Sequence, residues 1–381
     1  MKKLAFTIGF ILLFLMVSIA LYQNYVTMNN APSSPDGEIE KISSDSNPQA
    51  IEILASNLQI PWSLDFLPAS QNDKANSDIL FTQRPGILSL LSNGSVSTVA
   101  EIEDVEAIGE GGLMGLTIHP DFSNNQFIYL MYTYSAKEDN TLNRVVRYKY
   151  SEGTITDKEI IVDRIPGARF HNGGRIKFGP DEFLYITTGD SQEPSLAQNR
   201  DSLAGKILRV KDDGSPAPGN PFNSRIYSYG HRNPQGLTWD SSGNLYSTEH
   251  GRSNPTGYDE VNLIEAGKNY GWPEIEGNEV RNNLVTPLAN SGLGTWAPGS
   301  AAFYNKSLFF GGLRGAALFE LKLENEKTIL VEHFLNEFGR IRDAVIGPDN
   351  MIYITTSNRD GRGDPTTEDD RIIRIDPDQL Q

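Results

Sequence analysis

The stretch IKFGPDEFLYITTGD, Ile176 to Asp190, decides the reading of the fold. It is a short apolar run, a Gly-Pro-Asp turn, and a second apolar run with an aromatic residue near its start. Proline presets φ and removes a backbone donor, and Gly and Asp favour a turn over a continued strand. The β-branched and aromatic residues on either side suit a pleated, half-buried surface. The same unit returns as LTWDSSGNLYSTEHG at 237–251 and AVIGPDNMIYITTSN at 344–358. LTIHPDFSNNQFIYLMY at 116–132 is a looser copy, and SDILFTQR and NKSLFFGGL are fainter ones. The matching aromatics are Phe81, Tyr129, Tyr185, Tyr246, Phe309 and Tyr353, six copies spaced by about 45 to 60 residues. Six copies of one supersecondary unit predict an all-β chain, a six-bladed β-propeller of four-stranded antiparallel blades. A pair of β-sandwiches is the rival fold and gives no reason for sixfold recurrence. The run near Ile51 to Phe66 is expected to supply a strand that closes the ring with the last blade.

The chain has 381 residues, with 33 basic and 49 acidic side chains and a net charge of -16. That balance excludes a nucleic-acid partner, which needs a basic surface. The absence of cysteine excludes disulfides, thiolate catalysis and cysteine-ligated metal. Met1-Lys-Lys is followed by the apolar run Leu4 to Tyr22. Its length suits a membrane span, and the lysines favour a cytoplasmic start. Residues 1–26 therefore read as an N-terminal membrane anchor or a signal peptide. Residues 27–50, polar and rich in Ser, Pro and Asn, read as a flexible linker. The folded domain is expected over 51–381. It would lie outside the cytoplasm, in the periplasm or on the outer face of the membrane, anchored or secreted. It would meet a membrane only through its N-terminal segment.

Within Arg169-Phe-His-Asn-Gly-Gly-Arg175, His171 stands at the lip of a predicted strand. The glycines after it are expected to let a ligand approach, and imidazole suits proton abstraction near neutral pH. Of the other four histidines, His119 and His333 read as structural, and His231 and His250 flank loops behind a site. Arg340 and Arg342 have period two, so in a regular strand both guanidinium groups face one side. Arg232 and Arg314 occupy comparable places in other repeats. Converging on one mouth, these arginines would clamp a multiply anionic ligand. Scattered surface ion pairs are the alternative. Glu249 to Glu260, running into Asn269-Tyr-Gly-Trp-Pro273, mixes acidic residues with Gly, Asn and Pro and suits calcium, without the EF-hand pattern. Arg362-Gly-Asp364 reads as a chance match to an adhesion motif in a surface turn.

In order, GEGGLMGLTIHPDF, HNGGRIKFGPD, GKILRV, YSYGHRNPQGL, DEVNLIEAGKNYGWPE and GRIRDAVIGPD resemble the glucose/sorbosone dehydrogenase family, over about residues 52 to 377. The resemblance implies a six-bladed propeller that uses pyrroloquinoline quinone (PQQ) and calcium to oxidise aldose sugars at C1 to lactones. Electrons would pass to an external acceptor: a quinone, a cytochrome or a dye. It implies His171 as catalytic base and Arg232 with Asn233 in contact with cofactor and substrate, Arg232 also acting in catalysis. Arg340 and Arg342 would bind the quinone carboxylates. Arg314 stands where soluble glucose dehydrogenases carry lysine. Glu110 would face the substrate where those enzymes carry glutamine, which is similar to the aldose sugar dehydrogenase branch. The carbonyls of Gly251 and Arg252 would bind the calcium that touches the quinone. Glu260 and the Tyr270 carbonyl would bind a second, structural calcium. A non-catalytic propeller that binds glycan or protein and a calcium-dependent lactonase are the competing readings.

Overall fold

Each repeat read from the sequence becomes one antiparallel sheet in the computed structural model, which describes residues 39–44, 48–68, 77–136, 140–253, 255–324 and 327–380. Blade 1 contains Pro61–Phe66, Ile79–Gln83, Ile87–Ser92 and Ser95–Glu101, in that order from the axis outward. Blade 2 follows with Leu113–Ile118, Phe127–Ser135, Thr141–Ser151 and Thr154–Pro166. Blade 3 contains Ile176–Phe178, Leu184–Thr188, Lys206–Val210 and Ile226–Tyr229. Blade 4 contains Pro234–Trp239, Leu245–Glu249, Glu260–Ile264 and Ala289–Asn290. Blade 5 contains Pro298–Tyr304, Ser307–Gly312, Leu318–Glu324 and Lys327–His333. Blade 6 takes three strands from the C-terminal part, Ile341–Ile346, Ile352–Thr356 and Ile372–Ile375. Its outermost strand is Ile51–Ala55, paired antiparallel with Ile372–Ile375. The expected ring closure therefore comes from the first part of the 51–66 run, while Pro61–Phe66 opens blade 1.

All six repeat aromatics lie on the second strand of their blade and are buried. In three repeats the turn acid holds the ring from below. The Tyr185 hydroxyl donates to Asp181 (3.0 Å), Tyr353 to Asp349 (3.0 Å) and Tyr246 to Asp240 (3.3 Å). The turn glycine leaves room for the ring: a Cβ at Gly179 would lie 2.7 Å from the Tyr185 ring. The recurrent Gly-Pro-Asp turn is thus a packing device. Six apolar clusters fill the gaps between neighbouring blades. Among the described residues no single central core exists, because each blade buries both faces against its neighbours.

The axis is polar. Arg175, before the innermost strand of blade 3, pairs with Asp343 of blade 6 at 3.1 Å. It also donates to Ser63 Oγ of blade 1 (2.7 Å) and to the Gln235 carbonyl of blade 4 (3.1 Å), and lies over the Trp62 ring. Asp343 accepts from the Leu64 backbone N–H at 2.9 Å. Both side chains of the pair are shut off from solvent.

Glu40–Ser43, inside the stretch read as a linker, is extended and runs parallel to Lys327–His333 as a fifth strand on blade 5. His333 has the structural role expected of it. It bonds Glu320 (3.0 Å) and Ser44 (2.7 Å) on that blade. The apolar run Leu4 to Tyr22 lies outside the described residues, among which no helix is long and apolar enough to cross a membrane.

Removing one partner of a buried ion pair strands the other charge and costs about 3–5 kcal/mol. Asp343→Ala should therefore lower the unfolding free energy by about that amount, measured by denaturant titration. A loss under about 1 kcal/mol, the range of exposed pairs, would show that the axis does not depend on this contact.

Candidate active site

In every blade the innermost strand starts, and the second strand ends, at the same mouth of the ring. Loops before innermost strands contribute Glu110, His171, Arg232, Ala297 and Arg340; loops after second strands contribute His250, Gly251, Arg314 and Arg362. Residues more than two hundred positions apart thus line one cleft of about 600 Å³. Five arginines (Arg232, Arg252, Arg314, Arg340 and Arg362) and two carboxylates (Glu110 and Asp259) line it. On a chain of net charge -16, this mouth is locally basic.

His171 lines the cleft with a left-handed backbone, φ 61°. Its Nδ1 lies 2.7 Å from Asp190 Oδ1. A carboxylate only accepts, so Nδ1 is the donor, and in the neutral imidazole Nε2 is left to present a lone pair. Asp190 is fully buried and receives the Trp272 indole N–H (2.8 Å) and the Gln192 backbone N–H (2.8 Å). A base oriented by a buried, firmly held carboxylate is the arrangement proton abstraction needs. The two glycines after His171 do not open the cleft to a ligand, as the sequence suggested. A Cβ at Gly173 would overlap the Thr187 carbonyl, and one at Gly174 would meet Met114 and Trp62 at about 3 Å. They let the chain pack tightly behind His171. Asn172 is a brace, bonded through its side chain to the Ala168 carbonyl (2.8 Å) and to Asn143 (3.1 Å).

Glu110 bridges the site. Its Oε2 accepts from the His171 backbone N–H (3.1 Å) and Asn233 Nδ2 (3.4 Å), and its Oε1 meets Arg362 Nη1 (3.1 Å). Burial alone would raise its pKa, but His250, Arg362 and the His171 N–H hold it at about 2. His250 is pushed down to about 4, mainly by burial. Its Nε2 and the Nε atoms of Arg232 and Arg342 are buried with no hydrogen-bond partner among the described residues. Arg232 is otherwise fixed by the His250 carbonyl (3.2 Å) and Ser253 Oγ (2.9 Å). Asn233 receives the Gly173 N–H at 3.0 Å. Unmet buried donors around a cleft mark where an anionic or acceptor-rich ligand would be held.

The arginine pair departs from the period-two expectation. Arg340 lines the cleft, held by Asp360 (2.8 Å) and the Leu313 carbonyl (2.7 Å). Arg342 does not line it. Its guanidinium is buried over the Trp62 ring and donates to Gln235, and burial lowers its pKa to about 9. The register slips between Ile341 and Asp343, and such a bulge re-aims side chains that a regular strand would align. Arg342 therefore acts on the site from beneath, by its charge on His250.

The calcium candidates fall into two groups. Gly251 and Arg252 line the main cleft, with the Gly251 N–H held by Asp259 at 2.8 Å. Glu260 and Tyr270 line a small adjoining cavity with Glu249. Burial, then the neighbouring Glu249 carboxylate, push Glu260 up to about 8. Among the described residues, no group of three or more His, Cys, Asp or Glu converges as a metal site. A cation here would depend on carbonyl oxygens.

Sequence reasoning overlooked Asp190, Asp259 and Arg362. One signal was present. The residue five places after the repeat aromatic is Asp190, Gly251, Arg314 or Asn358 in the last four blades, and each of these ends at the mouth. Arg362, read as part of a chance motif in a surface turn, reaches into the cleft and pairs with Glu110.

A propeller whose mouth combines a carboxylate-oriented histidine with a rim of arginines defines a class of ligand-binding enzyme scaffold. The glucose/sorbosone dehydrogenase profile matches residues 58–373, and the chain belongs to that family of oxidoreductases. Aldose sugar dehydrogenase YliI of Escherichia coli is 31% identical, over 82% of this chain and 91% of the relative. A PQQ-bound aldose sugar dehydrogenase from Streptomyces coelicolor superposes with a TM-score of 0.78 at 36% identity, covering 86% of this chain and 97% of that one. A glucose dehydrogenase-like oxidoreductase from Thermus thermophilus gives 0.79 at 42% identity, covering 85% and 99%.

Glu110 yields a pH prediction. Its folded pKa of about 2 lies below its ordinary 4.5. The associated stability is present above pH 4.5 and lost as pH falls through 2. Glu110→Gln should thus be less stable than the parent at neutral pH. The gap, followed by unfolding titrations across acidic pH, should shrink over that window. A pH-independent gap would remove the ion-pair account.

Proposed function

We propose that this chain is a PQQ- and calcium-dependent aldose dehydrogenase, oxidising the C1 hydroxyl of aldoses to lactones and passing electrons to an external acceptor. The observation that carries this is the His171–Asp190 pair, opening on a cleft where Arg232, Arg314 and Arg340 converge. The fit to the cofactor is chemical. A planar tricarboxylate needs cations at its rim, and this mouth has a surplus of arginines and unmet buried donors. When bound, PQQ supplies an electrophilic ortho-quinone that accepts hydride, and calcium supplies a Lewis acid at its carbonyl.

The chain's own residues supply the rest. His171 Nε2 takes the proton from the C1 hydroxyl, and Asp190 stabilises the imidazolium that forms. Arg232, placed by its contacts with blade 4, offers its Nε and remaining donors to developing negative charge. Arg314 and Arg340 offer their guanidinium groups to carboxylates in the cleft, and Arg342 adds positive charge from beneath. Glu110 and Asn233 position the sugar. The Gly251 and Arg252 carbonyls offer hard oxygen ligands in the cleft. Glu260 with the Tyr270 carbonyl offers them in the adjoining cavity, where a dication would offset the Glu260–Glu249 repulsion. Export to the periplasmic or outer face rests on the Lys2-Lys3 start and the apolar run behind it. A non-catalytic propeller would have no use for the intact base, orienting carboxylate and arginine rim.

Three outcomes are expected. PQQ and calcium added to the purified domain should produce dye-linked oxidation of aldoses. His171→Ala should then lower kcat by about 100- to 10,000-fold, with the PQQ absorbance change on binding retained; a near-parental rate would remove His171 as base. Chelation by EDTA should lower the melting temperature of the parent and have much less effect on Glu260→Gln. Equal shifts in both would exclude Glu260 as a calcium ligand.

A further inference from the structure

Arg362 has a place in the cleft that the reading above does not use. Its loop follows the second strand of blade 6. Its backbone N–H is held by Asp360 Oδ1 at 2.9 Å, the residue whose other oxygen holds Arg340. A Cβ at Gly363 would lie 2.8 Å from Arg340 Cδ, so the loop lies directly against Arg340. From this firm base the side chain reaches across the mouth. It meets Glu110 Oε1 at 3.1 Å and lies over the Phe170 ring, 5.3 Å from its centroid. Its side chain is 41% exposed, against 10% for Arg340 and 25% for Arg252, so of these three ion-paired arginines it is the most open to the cleft.

Glu110 contacts the His171 backbone with one oxygen and Arg362 with the other. Arg362 therefore stands one carboxylate away from the base, in the same cleft. A second cavity of about 370 Å³ adjoins the cleft there, and Arg362 lines both. Only its Nη1 meets Glu110, and guanidinium, with five N–H donors, recognises carboxylate bidentately. The acidic surface of the chain does little to repel anions from the mouth, because fields from charges farther away than about 8 Å are largely screened at physiological salt. Within the mouth the arginines dominate.

Resting on the aldose dehydrogenase reading, we propose that Arg362 is a specificity-determining residue that selects aldoses carrying a carboxylate remote from C1, the uronic acids. Site and substrate are matched by charge: Glu110 takes hydroxyls, Arg362 takes the acid group. Specificity is a difference between two substrates, so the test is a ratio.

The PQQ- and calcium-loaded enzyme should oxidise D-glucuronate as well as D-glucose. The glucuronate-to-glucose ratio of kcat/KM should fall about tenfold or more in Arg362→Gln, equivalent to about 1.4 kcal/mol. Arg362→Lys, which keeps a point charge, should recover part of it. In parallel, calorimetric titration with each sugar should show tighter binding of glucuronate to the parent, lost in Arg362→Gln. An unchanged ratio in Arg362→Gln, or a parent that binds glucuronate no better than glucose, would overturn the proposal. If no aldose is oxidised at all, the dehydrogenase reading fails, and the titration still decides the role of Arg362.

Discussion

One guanidinium ties the ring together. Arg175 reaches from blade 3 to Asp343 of blade 6, Ser63 of blade 1 and the backbone of blade 4, and Asp343 in turn holds the backbone of blade 1. A propeller has no central core to set the relation of distant blades, since its apolar clusters lie only between neighbours. A buried charge pair with several further partners supplies that relation. Desolvation lowers the Arg175 pKa, and Asp343 opposes the loss. Such a group is costly to bury alone and therefore demands one arrangement of its partners.

The site is built on that arrangement. Arg175 follows directly on His171-Asn-Gly-Gly, so the residue that locks the axis also sets the strand entry that presents the base. Arg342 and Asp343 are adjacent, one beneath the cleft and the other in the axial pair. Gly173 and Gly174 serve the same end by letting this segment lie against Thr187, Met114 and Trp62. His171 itself has a left-handed backbone, an uncommon conformation for a residue other than glycine. Stability of the hub and placement of the base are thus one problem solved by one segment.

Electrostatics divide the molecule. The chain as a whole is acidic, while the mouth gathers five arginines against two carboxylates. Within the mouth, half-buried Glu110 keeps its charge because Arg362 supplies opposite charge and the His171 N–H a hydrogen bond. Glu260, also half-buried and beside Glu249, is pushed the other way. The two environments assign different work to two carboxylates: one a fixed anion among cations, the other a group that gains from a dication.

The repeat made the fold legible. Tyr185, Tyr246 and Tyr353 and their turn acids recur because each blade solves the same local packing problem, and local problems leave periodic traces. The blade count, the closing strand and the convergence of His171, Arg232, Arg314 and Arg340 on one mouth were all readable on that basis. Arg342 was misread because a bulge, invisible in the residue order, breaks the alternation beside it. Asp190 was missed as the partner of His171, although its place in the repeat could have marked it. Arg362 was dismissed because nothing along the chain links it to Glu110, 252 residues away. Residue order determined the repeating unit and the chemistry available at its ends, since those follow from side-chain pattern and turn type. Only the closed ring decided which of those side chains meet, because contacts between blades depend on distances that no local stretch of the chain encodes.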